Sequence, residues 1–279
     1  RSTLFPYTTL FRSGRRSGKK LEEECLRYEP VLSGNIAVTG TGRGVGATTV
    51  ALMLAGVAAE HGEAVSFTEC QDPSQMARLV YHILSMDKRR GTPVSIYGAA
   101  AEGLPVRIIE NRMMMEAGQG HIDWRIVTPD DVNEAVRLDK AQMTRIVSSA
   151  GGDVCIFDVS SDGSTDHLFS DMDLVVAVVD PLPSRLLMQA SRIASIKYIK
   201  NKGIPVVFVV NRINKGVSKR HVKRIIRDPD IIFIDMIDET YIYAAEFGGL
   251  FPWEQPAAAN AAAVLFTEIS RWNKRVIGC

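Results

Sequence analysis

Glycines at positions 40, 42, 44 and 46 alternate with Thr41, Arg43 and Val45, and the run passes through Ala47 into a pair of hydroxyls, Thr48 and Thr49. An apolar segment at 35–39 precedes the run, and an apolar helical pattern, Val50 to Ala59, follows it. Glycines at a strand-to-helix turn let backbone N–H groups close around an anion, with the helix N-terminus aimed at it. A dinucleotide fingerprint is one reading, in which Glu69 serves as the ribose-binding acid, but the glycine spacing does not meet it cleanly. A phosphate loop fits better, because two threonines open the helix where a magnesium-binding hydroxyl is needed. That pattern ends Gly-Lys-Ser/Thr, and here Ala47 stands where the lysine belongs. The lysine neutralises charge on the outer phosphates, so its loss predicts weakened triphosphate binding or hydrolysis.

Such a loop works only if a fold holds it. Short runs rich in Val, Ile and Phe at 35–39, 64–69, 106–110, 154–159, 174–179, 205–210 and 231–236 read as strands. Helical patterns fall between them at 47–61, 74–86, 140–150, 184–201, 218–227 and 257–274. Near-continuous apolar strands separated by helices predict an α/β domain of three layers, with a mostly parallel central sheet covered on both faces. The segment 88–135 fits less well, with 122–127 as a further candidate strand.

Composition narrows the class. Lys and Arg total 33 against 32 Asp and Glu, which argues against a dedicated nucleic-acid coat. No apolar run approaches the roughly 20 residues that cross a bilayer. Cys25, Cys70, Cys155 and Cys279 form no CxxC pair, and the five histidines form no HExxH. A cytoplasmic, reducing setting is therefore expected. Residues 3–13 resemble the in-frame translation of a sequencing adapter, so 1–13 are set aside as an artefact. Residues 14–34 read as a linker or truncated N-terminal segment, and 35–279 as one domain.

With those residues in place, Gly42 to Thr49 resembles the deviant Walker A motif of the MinD/ParA superfamily of P-loop ATPases. Its usual form is Lys-Gly-Gly-Val-Gly-Lys-Thr-Thr; Gly42 and Ala47 stand at its two lysines. The ending Gly-Val-Gly-Ala-Thr-Thr is similar to the TadZ/CpaE branch, linked to Flp/Tad pilus assembly and polar localisation. The resemblance implies ATP and Mg2+ as ligands. Backbone amides of Gly42, Arg43, Gly44, Val45, Gly46, Ala47, Thr48 and Thr49 would hold the phosphates, and Thr48 and Asp158 would manage the metal. Asp72, in Cys70-Gln71-Asp72-Pro73, matches the family's aspartate implicated in hydrolysis, while Cys70 replaces its first aspartate. Asn211 and Arg212, ending a later strand, fall where the family reads adenine. Each has a plainer reading: Asp158 as a helix cap, Asp72 as a turn residue before proline, Asn211 as a partner of loop backbone. Arg43 is a further candidate for phosphate charge.

The implied function is an ATP-binding localisation or assembly factor for a Flp/Tad-type pilus or secretion system. It would be at most a slow ATPase, homodimeric, with protein partners in that assembly, and cytoplasmic with recruitment to the inner face of the membrane or a cell pole. The alternatives are an active partition or division ATPase and a scaffold that binds no nucleotide. Lys219, Arg220, Lys223, Arg224 and Arg227 lie at helical spacing and could touch DNA, although a solvated face is the commoner outcome. Leu265, Phe266, Ile269, Trp272, Val276 and Ile277 form a C-terminal stripe, expected to pack on the core rather than on a membrane surface. Met113 to Met115 read as apolar filler.

Overall fold

The computed structural model describes residues 32–71, 79–86, 95–104, 113–134 and 136–277, without the side chains of 113–115, 276 and 277. Asp72, the segment 1–31 and the predicted strand at 106–110 lie outside the described residues. The described residues belong to one compact unit, Val31–Cys279.

Eight strands form one sheet: β1 (Gly34–Gly40), β2 (Ala64–Cys70), β3 (Met113–Ala117), β4 (Gly120–Arg125), β5 (Val154–Val159), β6 (Leu174–Val179), β7 (Val206–Ile213) and β8 (Ile231–Asp235). Their order is β3-β4-β2-β5-β1-β6-β7-β8. Every neighbouring pair is parallel except β3 with β4. The fold is therefore the expected α/β class with a mostly parallel sheet. β5 and β6 are buried along their whole length, which is why they read as unbroken apolar runs. Met113–Ala117 forms the antiparallel edge strand, which the sequence had not suggested.

The order of strands fixes where a site can form. From β1 the chain crosses to β2 on one side, and from β5 it crosses to β6 on the other, while β1 and β5 are neighbours. Connections leaving in opposite directions open a crevice beyond the C-terminal ends of those two strands. The glycine run fills it.

Helix α1 (Ala47–Glu60) follows the run, and every residue from Val50 to Ala59 is buried. It is apolar all round because it lies inside the layer, with the sheet beneath and α10 (Pro256–Ile277) beside it. At Gly56 the absence of a side chain decides the packing: a Cβ there would sit 2.0 Å from the Trp253 ring. Trp253 stacks on Phe251 at 4.5 Å between centroids, and Phe251 on Trp124 at 4.8 Å. Leu265, Phe266 and Ile269 of α10 are buried in this same core, as expected for a packed stripe.

The opposite face is covered by α3 (Tyr97–Ala101), α5 (Lys140–Ser148), α6 (Pro183–Met188), α7 (Ala190–Asn201) and α8 (Lys219–Ile226). The single helix expected at 184–201 is two, parted at Gln189. Three short helices, α3, α4 (Pro129–Asn133) and α9 (Glu239–Phe247), had no signal in the sequence, whereas α2 (Leu79–Met86) falls within the helical pattern expected at 74–86, of which 74–78 lie outside the described residues.

Candidate functional site

The turn after β1 is anchored at both ends. Thr41 donates its N–H to Val178 O at 2.9 Å, and its hydroxyl lies 2.5 Å from Gln189 Oε1. The break at Gln189 thus turns that side chain onto the loop. At the other end Gly46 is left-handed, φ 91°, and a Cβ would meet Asn211 Nδ2 at 2.4 Å. Asn211 donates from Nδ2 to Val45 O at 3.0 Å and accepts the Arg212 N–H at 2.8 Å. Both ends of the Asn211 amide are therefore engaged with backbone, and in this state it braces the loop.

Thr48 occupies the first turn of α1, and its hydroxyl donates to Asp158 Oδ2 at 2.8 Å. Asp158 is wholly buried on β5, and Oδ1 has no hydrogen-bond partner of good geometry. Burial pushes its pKa up to about 7, against opposing hydrogen bonds from Thr48 and the nearby Gln71 side chain. A buried carboxylate oxygen left open beside a helix-opening hydroxyl suits a hard divalent cation that keeps most of its water. On that donor chemistry the pair fits Mg2+.

The loop, Gln71 and Ser160–Ser161 enclose a cavity of about 390 Å³, with Arg43 and Arg212 as its lining cations. A second cavity, about 310 Å³, shares Gly46, Thr49 and Arg212 with the first and runs on between Met53 and the α9 residues Ile242 and Tyr243. Together they form one polar mouth with a more apolar extension. Arg212 stands at the junction and pairs with buried Asp180 at 3.1 Å, which also takes Arg185 at 2.8 Å.

The structure brings together Gly42 to Thr49, Asp158, Asn211 and Arg212. Cys70 is buried at the end of β2, and burial raises its thiol pKa. Glu69 cannot serve a ribose: it is buried, and its Oε2 accepts the Val127 N–H at 2.7 Å. Asp180, Gln189 and Gln71 were missed as neighbours of the loop. The only trace of them in sequence is Asp180-Pro181 at the end of an apolar run. The cations at 219–227 are exposed, and none forms an ion pair among the described residues. Lys219 and Lys223 rest over the Phe233 ring.

No protein-family model matches the chain, and no curated protein matches it in sequence. Solved structures do match in fold. The cell division ATPase MinD of Pyrococcus furiosus is 19% identical, with a TM-score of 0.62 over 86% of this chain and 99% of that one. The septum site-determining protein MinD of Pyrococcus horikoshii, solved with Mg-ADP, is 18% identical, with a TM-score of 0.63 over 85% and 96%. A putative plasmid partition protein of Borrelia burgdorferi bound to AMPPNP is 12% identical, with a TM-score of 0.63 over 86% and 100%. At these identities the likeness is one of fold.

Proposed function

We propose that the chain binds Mg-ATP at the mouth formed by the glycine loop, Thr48 and Asp158, and uses the nucleotide as a switch rather than as fuel. The observation that carries this is the Thr48–Asp158 pair, 2.8 Å apart beneath a left-handed glycine turn at the switch point of the sheet. The amides of 42–49 bind the phosphates, and Asn211 holds the loop in its binding shape. The apolar extension lined by Met53 and Ile242 receives the base, beside Asn211. Thr48 and Asp158 hold Mg2+, directly or through water; bound there, the metal would screen charge on the outer phosphates. The neighbours solved with Mg-ADP and AMPPNP support the ligand class.

Slow or absent hydrolysis follows from Ala47, which leaves the loop without its lysine. Asp72 would orient the attacking water in any residual turnover. A homodimer serving a pilus or secretion assembly, at a membrane face or cell pole, completes the reading. It rests on the Gly-Val-Gly-Ala-Thr-Thr ending. Among the described residues no helix is long and apolar enough to cross a membrane.

Calorimetry with Mg-ATP, with phosphate release followed in parallel, tests this. Binding that is lost in Thr48→Ala and Asp158→Ala, with little release, is the expected result. Rapid turnover would favour an active partition-type ATPase, and no binding at millimolar ATP would favour a scaffold.

A further inference from the structure

The phosphate cavity has a charge problem. Its loop carries no lysine, and the nearest acid, Asp158, is buried behind the lining residue Thr48, whose hydroxyl it accepts. Two arginines line the cavity, Arg43 at the exposed tip of the loop and Arg212 at its inner junction.

Arg212 is held in an unusual way. Its φ is 63°, left-handed for a residue with a branched, bulky reach, within an irregularity of the β7–β8 pairing between Val210 and Ile213. Such a backbone persists only where its surroundings over-determine it, and it concentrates at functional sites. Here Asn211 supplies the determination, accepting the Arg212 N–H while bonding the glycine loop at Val45. The turn that aims Arg212 is thereby fastened to the phosphate loop itself.

Its partner is over-supplied. Asp180 accepts from Arg185, Arg212 and the Leu182 N–H, so two guanidinium groups share one buried carboxylate. Arg185 suffices to neutralise that acid and lines neither cavity. The two guanidinium groups are equally exposed, but Arg212 makes the longer contact, 3.1 Å against 2.8 Å, and it alone lines the cavities. One positive charge is therefore in excess, and it sits on the residue that borders the phosphates.

We infer that Arg212 is the phosphate-reading cation that stands in for the lysine absent at position 47, leaving Asp180 to Arg185 when a nucleoside di- or triphosphate enters. A planar guanidinium fork grips two phosphate oxygens at once, which a lysine cannot. The site consequently selects for ligands with a β-phosphate. This rests on the nucleotide reading above.

The test compares Mg2+-dependent binding of ATP, ADP and AMP to the full chain, to Arg212→Gly and to Arg212→Gly with Ala47→Lys. Glycine suits the left-handed backbone, so the substitution removes charge without adding strain; Arg212→Asn, also tolerant of that region, repeats it. The expected result is about tenfold or greater weakening for ATP and ADP, little change for AMP, and recovery when Ala47→Lys returns a cation to the loop. Equal weakening of all three nucleotides, no weakening, or no recovery by Ala47→Lys would overturn the assignment while leaving nucleotide binding intact. A wild-type chain that binds none of the three overturns the nucleotide reading itself.

Discussion

The neighbouring strands β2 and β5 end side by side, each with a buried carboxylate one residue before its end, and Glu69 and Asp158 are register partners. Burial raises both pKa values, and each charge would disfavour the other. Their surroundings nevertheless differ. Glu69 accepts the Val127 N–H and so stitches β2 to the chain leaving β4. Asp158 takes the Thr48 hydroxyl, with the Gln71 side chain nearby, and its Oδ1 lacks a hydrogen bond of good geometry behind the loop. Two equally buried acids one strand apart are thus assigned opposite work. The deciding feature is the unfilled acceptor, not the burial or the shifted pKa.

Removing each acid in turn tests that contrast most directly. Asp158→Ala should abolish the tightening of nucleotide binding by Mg2+, a loss of about 10–100-fold in calorimetry with and without the metal, with no loss of folding stability. Retained Mg2+ dependence would break the comparison.

Titration gives the next effect. The Asp158 pKa stands raised, at about 7, so its contribution to folding is complete below the ordinary carboxylate range and is lost as pH rises toward 7. Metal binding needs the ionised form, so Mg-nucleotide affinity should climb about tenfold per pH unit below 7 and level off above it. Stability and affinity therefore slope in opposite directions, and Asp158→Asn should flatten both changes in parallel titrations.

Glu69→Ala should do what Asp158→Ala does not. It leaves the buried Val127 N–H without its acceptor and should lower unfolding free energy by about 1–3 kcal/mol in denaturant, with Mg2+ dependence kept. An unchanged midpoint would show that Glu69 is not a structural tie. The smallest effect is expected at the loop brace: Asn211→Ala should weaken nucleotide binding by about fivefold, roughly the worth of one hydrogen bond.

Much of this was readable before the fold was known, for identifiable reasons. The strands at 154–159 and 174–179 match their expected bounds because burial on both faces leaves an unbroken apolar signature. The glycine loop and Thr48 are local in sequence, and Asp158 closes an apolar run. What stayed hidden is non-local or backbone-encoded. Asp180 and Arg212 meet across 32 positions with no pattern linking them. The left-handed backbone at Arg212 leaves no trace in residue type. The break at Gln189 interrupts a stretch whose composition is helical throughout, and only the contact with Thr41 explains it. Glu69 was visible as an acid at a strand end, but nothing in the sequence reveals that Val127 occupies it.

The stack of Trp253, Phe251 and Trp124 behind Gly56 also has an optical consequence. Two of the three tryptophans of the chain sit in that stack, against the helix whose first turn carries Thr48. Gly56 lies two turns farther along the same rigid rod, about 12 Å from Thr48. Any shift of that rod when the loop closes on a ligand presses on the indoles and changes their emission. Following tryptophan emission during a nucleotide titration would read such a shift without a label.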